Sequence, residues 1–295
     1  MTKKRSAYFL TILQASFFLV CLLIVQFGQI FAEGLPLYYW QQPKFINFGD
    51  RISQHIVERM VNQPVQIFQK KARNNPKKLL AVGSILYFAN DHDVVWGSGL
   101  NGKTPFKQQY EFSQLDIRSV RGPITRSFLT ENFPISCPEI YGDPALLFPY
   151  LFPEFVKSEH PKYDYIVIPH FTEKALFPQS PSKNIVYPTE PWEDVISKIL
   201  DSKFVISSSL HGVIIAEAYG IPARMLRVTE NEKILKYQDY YMGTNRPDFL
   251  FATSVEEALH MGGEKPFKCD LQKLYDAFPF DYWPNSQPTM PQFPS

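Results

Sequence analysis

From Leu37 onward, short apolar runs alternate with amphipathic stretches, which is the rhythm of a parallel-sheet α/β chain. Residues 37–39, 79–82 and 94–96 read as strands. Residues 51–61 place Ile52, Ile56, Val57, Met60 and Val61 on one helical face, with Asp50 as the expected cap. Pro123 opens a helix expected over 123–131. A proline-broken stretch from Pro149 to Pro161 divides this series from a second one. There the strands are expected at 165–168, 185–187, 204–206 and 225–228, with helices at 192–200 and from His211 to about Tyr219, where Gly220 and Pro222 stop the second helix.

These patterns divide the chain into a Rossmann-like lobe over 33–150, a second over 151–277, and a proline-rich tail over 278–295 expected to be irregular. Before them, Lys3, Lys4 and Arg5 precede an uncharged run from Ala7 to about Phe27, the layout of a signal peptide or signal anchor over 1–32. Both outcomes stand. A retained anchor gives a single-pass membrane protein, and cleavage gives an exported one.

The net charge of +1, with no stretch that concentrates Lys or Arg as a nucleic-acid surface would, argues against a nucleic-acid partner. Cys21, Cys137 and Cys269 lack the spacing of a metal or redox motif and read as free thiols. No metal site is expected.

Open parallel sheets bind ligands where strands end and helices begin, so the chemistry is sought there. Asn47, Phe48, Gly49 and Asp50 form a turn into the first helix, readable as an ordinary turn or as part of a ligand loop. Gly97, Ser98, Gly99, Leu100, Asn101 and Gly102 satisfy the dinucleotide fingerprint letter for letter. That reading fails because Lys103, Thr104 and Pro105 follow in place of a helix; a glycine turn exposing amides to a ligand stays open beside a plain tight turn. Arg121 stands just before the helix opened by Pro123, where guanidinium and helix terminus would together favour an anion. Ser207, Ser208, Ser209, Leu210 and His211 follow a strand and start an apolar helix, bringing hydroxyls and an imidazole to one helix N-terminus. Within that helix Glu217 is flanked by apolar residues and reads either as an edge residue or as a group orienting a ligand or His211.

Taken in order, these pieces resemble the polysaccharide pyruvyl transferases, especially the branch of succinoglycan-type exopolysaccharide synthesis. The resemblance runs from residues 37–39 through Asn47–Asp50, Gly97–Gly99, the segment from Val120 to Thr125, Tyr141 to Leu147, Ile168 to His170, and Ser209 to Ala218. It continues through Lys236, Asp239, Tyr240, Gly243, Thr244 and Arg246. Each motif is weak alone; their collinearity is specific.

The resemblance implies a glycosyltransferase-B-like pair of lobes, phosphoenolpyruvate as donor in the cleft, no cofactor, and a glycan or lipid-linked sugar as acceptor, joined to pyruvate as a ketal. It carries catalysis onto His211, with Glu217 as a candidate, and substrate binding onto Arg121, Ser208, Ser209, Leu210, Asn47, Asp50, Gly97, Ser98, Gly99, Asp143, His170 and Arg246. One departure stands out. Many relatives carry an arginine where this chain has Ser209, so a positive charge must come from Arg246, Lys236 or Arg224. Two rival readings keep the lobes but change the role: a glycosyltransferase using a nucleotide sugar, and a non-catalytic exported carbohydrate-binding protein.

Overall fold

The computed structural model describes residues 34–42, 45–68, 76–177, 183–288 and 290–293. The expected signal segment over 1–32, with Cys21, lies outside the described residues. No helix among the described residues is long and apolar enough to cross a membrane.

The fold is α/β, built on two four-stranded parallel sheets, each with its strands in chain order. The first contains β1 (Leu37–Tyr38), β2 (Leu79–Leu80), β3 (Val94–Trp96) and β4 (Asp116–Ser119). The second contains β5 (Ile166–Ile168), β6 (Val205–Ser207), β7 (Ala223–Leu226) and β8 (Phe251–Ala252). The helices are α1 (Phe48–Val61), α2 (Pro123–Asn132), α3 (Phe148–Leu151), α4 (Trp192–Leu200), α5 (Leu210–Ala218), α6 (Leu235–Gly243), α7 (Val255–Met261) and α8 (Leu271–Asp276). All-parallel pairing requires both sheet faces to be covered, which explains the near-continuous apolar strands Val94–Trp96 and Ile166–Ile168, buried throughout.

Strand order has a consequence for ligands. The parallel bridges Leu37–Ile67 and Val167–Ile185 extend each sheet beyond its first strand, so the order reverses at β1 and at β5, and such reversals open crevices at strand carboxyl ends.

One apolar core runs under both. It joins Leu37, Ile52, Ile56 and Leu79 of the first half to Ile166, Val205, Val213 and Ile214 of the second. Buried α1 side chains belong to that shared core, and α5 is buried from Leu210 to Glu217. Among its described residues the proline-rich tail is irregular apart from one short turn, yet part of it is packed into the core. Phe278 and Trp283 are 2% and 1% exposed, and the chain makes a short 3-10 turn at Phe280–Tyr282. Aromatic burial there outweighs the low-complexity composition, since each ring removes a large apolar area from water. The Trp283 indole occupies the space a side chain at Gly34 would need, and Gly34 has φ +95°.

Three local differences from the sequence reading have physical causes. The cap of α1 is Asn47, whose side chain accepts from the Gly49 amide at 3.0 Å; Asp50 sits inside the first turn. Residues 185–187 contribute only a single bridge, Val167 to Ile185. The strand expected at 225–228 begins earlier, at Ala223, because Arg224 is buried: it pairs with Glu264 at 2.8 Å and donates to the carbonyls of Leu250, Gly262 and Gly263. Cys137 and Cys269 are free thiols.

Candidate active site

A cavity of 240 Å³ opens between the two sheets. The segments that line it follow strand carboxyl ends: Trp40 after β1, Ser84 and Ile85 after β2, Asn101 and Lys103 after β3, His170 and Phe171 after β5, Ser209 to His211 after β6, and Glu232 and Lys236 after β7. Two helix N-termini also reach it. Asn47 and Asp50 belong to the start of α1, and Ser209, the N-cap, begins α5. Unpaired amides and the helix dipole make both ends favourable for an anion.

His211 stands at the junction. Its Nε2 is buried without a hydrogen-bond partner and lies 3.6 Å from Asp143 Oδ2, an oxygen likewise buried and unpartnered. The separation is too long for a hydrogen bond, so the pair is poised rather than joined. The other Asp143 oxygen caps the turn at Pro144–Leu147 by accepting from the Ala145 amide at 3.0 Å. Across the imidazole lies Gly49, where any Cβ would overlap the ring. Helix α1 therefore carries glycine in its first turn because the histidine occupies that space.

Asp50 follows on the same turn. Burial raises its carboxyl to about 6, against the opposing pull of His211 and Lys236. It thus changes charge near neutral pH beside the imidazole.

On the opposite wall, Glu232 holds two lysines. It accepts from Lys236 at 2.6 Å and from Lys103 at 2.7 Å. Burial works against its ionisation, yet the charge of Lys236 with that of its other neighbours brings it down to about 2. Burial also lowers Lys236, partly offset by Glu232. His170 completes this wall: burial and then the Lys236 charge push it down to about 3. It is therefore a neutral imidazole at ordinary pH, with Nδ1 2.7 Å from the Thr172 hydroxyl.

The structure thus brings Asn47, Asp50, His170, Ser209, Leu210 and His211 to one cavity, with Asp143 directly behind His211. The other expected site residues are placed elsewhere. Arg121 is fully buried and off the cavity wall. Its guanidinium donates to Asp239 at 3.1 Å, to the Leu100 carbonyl at 2.7 Å and to the Ser84 hydroxyl at 2.6 Å. Asp239 in turn accepts from the Thr125 amide and hydroxyl. A charge this deep is retained only with partners, and these bonds consume the fork expected to meet an anion. Arg121 reaches the cavity only through Ser84.

Glu217 likewise lies off the cavity wall. It accepts a bidentate pair from Arg246 at 2.7 and 2.8 Å and a bond from the Tyr240 hydroxyl at 2.6 Å, so Glu217 in the last turn of α5 and Arg246 are committed to each other. Ser208 is also behind the wall, donating to Glu173 at 2.6 Å while accepting from the His170 amide at 2.8 Å. Gly97, Ser98 and Gly99 turn toward the Gly83 loop; the Ser98 hydroxyl and the Gly99 amide both donate to the Gly83 carbonyl. Gly99 gives the Arg121 guanidinium room, since a Cβ there would overlap it.

Lys103, Glu232, Ser84, Trp40 and Phe171 line the cavity without having been singled out in the sequence. Their signals are weak: each stands alone, and Lys103 and Glu232 meet across a separation of 129 residues. Among the three residues able to replace the charge absent at Ser209, only Lys236 lines the cavity.

The chain is similar to several known proteins. The chain is 27% identical over 207 residues to an uncharacterized protein of Acanthamoeba polyphaga mimivirus, covering 67% of this chain and 70% of that one. It is 27% identical over 238 residues to the succinoglycan biosynthesis protein ExoV of Rhizobium meliloti (strain 1021), covering 76% of this chain and 71% of that one. A solved structure of an uncharacterized Klebsiella pneumoniae protein aligns with TM-score 0.45 and 12% identity, over 78% of this chain and 96% of that one. The family model described as polysaccharide pyruvyl transferase matches residues 35–230, a span that contains His211, Asp143, Asp50 and His170. By that match the chain belongs to the polysaccharide pyruvyl transferase family.

Proposed function

We propose that the chain transfers the pyruvyl group of phosphoenolpyruvate to two hydroxyls of a sugar, forming a ketal within the cavity between the sheets. The observation that carries this reading is His211, poised between Asp143 and Gly49 on the same wall as Asp50. Two parallel sheets with a cavity between them support this reading.

The reaction needs a proton at the methylene carbon of the donor, which leaves positive charge on the adjacent carbon. A sugar hydroxyl adds there and gives up its proton; the C–O bond to phosphate breaks with its electrons going to phosphate; a second hydroxyl then closes the ring. Of the two hydroxyl protons, one is balanced by the new methyl C–H and the other leaves on phosphate. His211 donates the first proton, with the Asp143 carboxylate 3.6 Å from its Nε2. Asp50 accepts from the attacking hydroxyl, its raised carboxyl suiting a base near neutrality. Lys103 and Lys236, with the starts of α1 and α5, hold the donor's phosphate and carboxylate. This assigns to Lys236 the charge expected from Arg121 and from the position of Ser209.

His211→Ala should lower kcat by about 10²–10⁴-fold, the usual contribution of a positioned acid, with phosphate release from phosphoenolpyruvate and an added glycoside as the assay. Turnover near that of the unaltered protein would remove His211 from the chemistry.

A further inference from the structure

The cavity lining is of two chemical kinds. Asp50, His211, Lys103, Glu232 and Lys236 are charged or titratable, whereas Trp40, Ile85, Phe88 and Phe171 are apolar. A small charged donor has no use for apolar rings, so these suit another occupant.

Their placement is specific. Trp40 comes two residues after β1 in the first sheet, and Phe171 comes three residues after β5 in the second. The rings meet across the gap with centroids 5.3 Å apart and planes tilted by 35°. Phe45 backs Phe171 at 5.5 Å, and His170 lies against it at 4.4 Å. Trp40 and Phe171 are only partly buried, leaving ring surface turned to the cavity. His170 stays neutral at ordinary pH, as burial and Lys236 hold its pKa down to about 3. It therefore offers hydrogen bonding to a neutral ligand without adding charge.

Apolar ring faces beside a few polar groups suit a molecule with both apolar and hydroxyl-bearing surfaces. A pyranose fits that description, presenting C–H groups on its face and hydroxyls at its edge. We infer that Trp40 and Phe171 form the acceptor subsite, on which a hexopyranose ring stacks with its paired hydroxyls directed toward Asp50 and His211. This rests on the pyruvyl-transfer reading and adds the position of the acceptor. Because the platform is shared between the sheets, neither half alone holds the sugar.

The test uses the full chain with phosphoenolpyruvate and methyl β-glucopyranoside or methyl β-galactopyranoside as probe acceptors. Trp40→Ala should raise the acceptor KM about tenfold, the loss of one stacked aromatic contact. The donor KM should stay within about twofold, and Trp40→Phe should recover most of the loss. Saturation-transfer NMR on the glycoside supplies a readout independent of turnover: contacts to the ring C–H protons should be present in the unaltered protein and absent in Trp40→Ala. Equal acceptor KM in both proteins, or an equal rise in donor KM, overturns the subsite. Glycoside contacts that vanish in Trp40→Ala, without phosphoenolpyruvate consumption by either protein, leave the subsite standing and overturn the pyruvyl-transfer reading. Absence of both contact and turnover in the unaltered protein overturns both.

Discussion

Asp50→Asn should stabilise the free protein at neutral pH while impairing it as an enzyme. The buried carboxyl ionises near 6 in the fold against an ordinary 3.8. At ~1.4 kcal/mol per pH unit, that difference sets an upper limit of ~3 kcal/mol that ionised Asp50 costs the fold. The sign follows from proton binding. Below pH 3.8 the carboxyl is neutral in both folded and unfolded chains, and it contributes no penalty. Between 3.8 and 6 the folded chain holds more protons, so stability from this group falls as pH rises, and above 6 the full cost is present. Asparagine cannot ionise and lacks this dependence. Urea unfolding of both proteins at pH 4, 5, 6 and 7.5 gives the difference free of other titrating groups. Asp50→Asn should match the unaltered protein near pH 4 and exceed it by up to ~3 kcal/mol at pH 7.5, whereas its kcat should fall. A difference that is flat with pH, or a variant less stable at pH 7.5, would refute the reasoning that burial sets the state of this carboxyl.

Three further substitutions probe the frame around the site. Gly49→Ala would ordinarily favour a helix by ~1 kcal/mol, yet the added methyl displaces His211, so kcat/KM should drop roughly a hundredfold; steady-state kinetics beside a melting curve would expose the conflict. Asp143→Asn should lower kcat about 10–100-fold, as removal of a group that orients another does, and alter the acid side of the kcat–pH profile while circular dichroism stays unchanged. Arg121→Met leaves Asp239 buried without its cation and should cost ~3–5 kcal/mol in urea unfolding; adding Asp239→Asn should recover part of the loss, and a large rise in donor KM without loss of stability would return Arg121 to the binding site.

Much of the architecture was legible because buried parallel strands write themselves as apolar runs. The segments 94–96 and 192–200 match the observed elements residue for residue. Strand β7 was harder to place, since Arg224 breaks its apolar pattern and is tolerated only through Glu264 and three carbonyls. Helix α6 was missed for a related reason: Lys236 and Asp239, both buried, interrupt any apolar face. At the site, Asn47, Asp50, Ser209 and His211 were legible because strand ends and helix starts are where ligands gather. The setting of Arg121 was not legible, because a chain position beside a helix start says nothing of Asp239, which lies 118 residues away. The Glu232 clamp was only half visible: Lys236 is four residues along, but Lys103 reaches Glu232 from 129 residues away.

The unbroken core beneath the sheets limits how substrate can enter. A hinge that rocked the halves apart would drag buried residues such as Ile52, Ile56 and Val213 into water, and each exposed side chain costs about 1.5–3 kcal/mol. On the proposed reading, the sugar therefore enters past the segments that carry Trp40, Lys103 and Phe171 at the cavity, not by separation of the two halves.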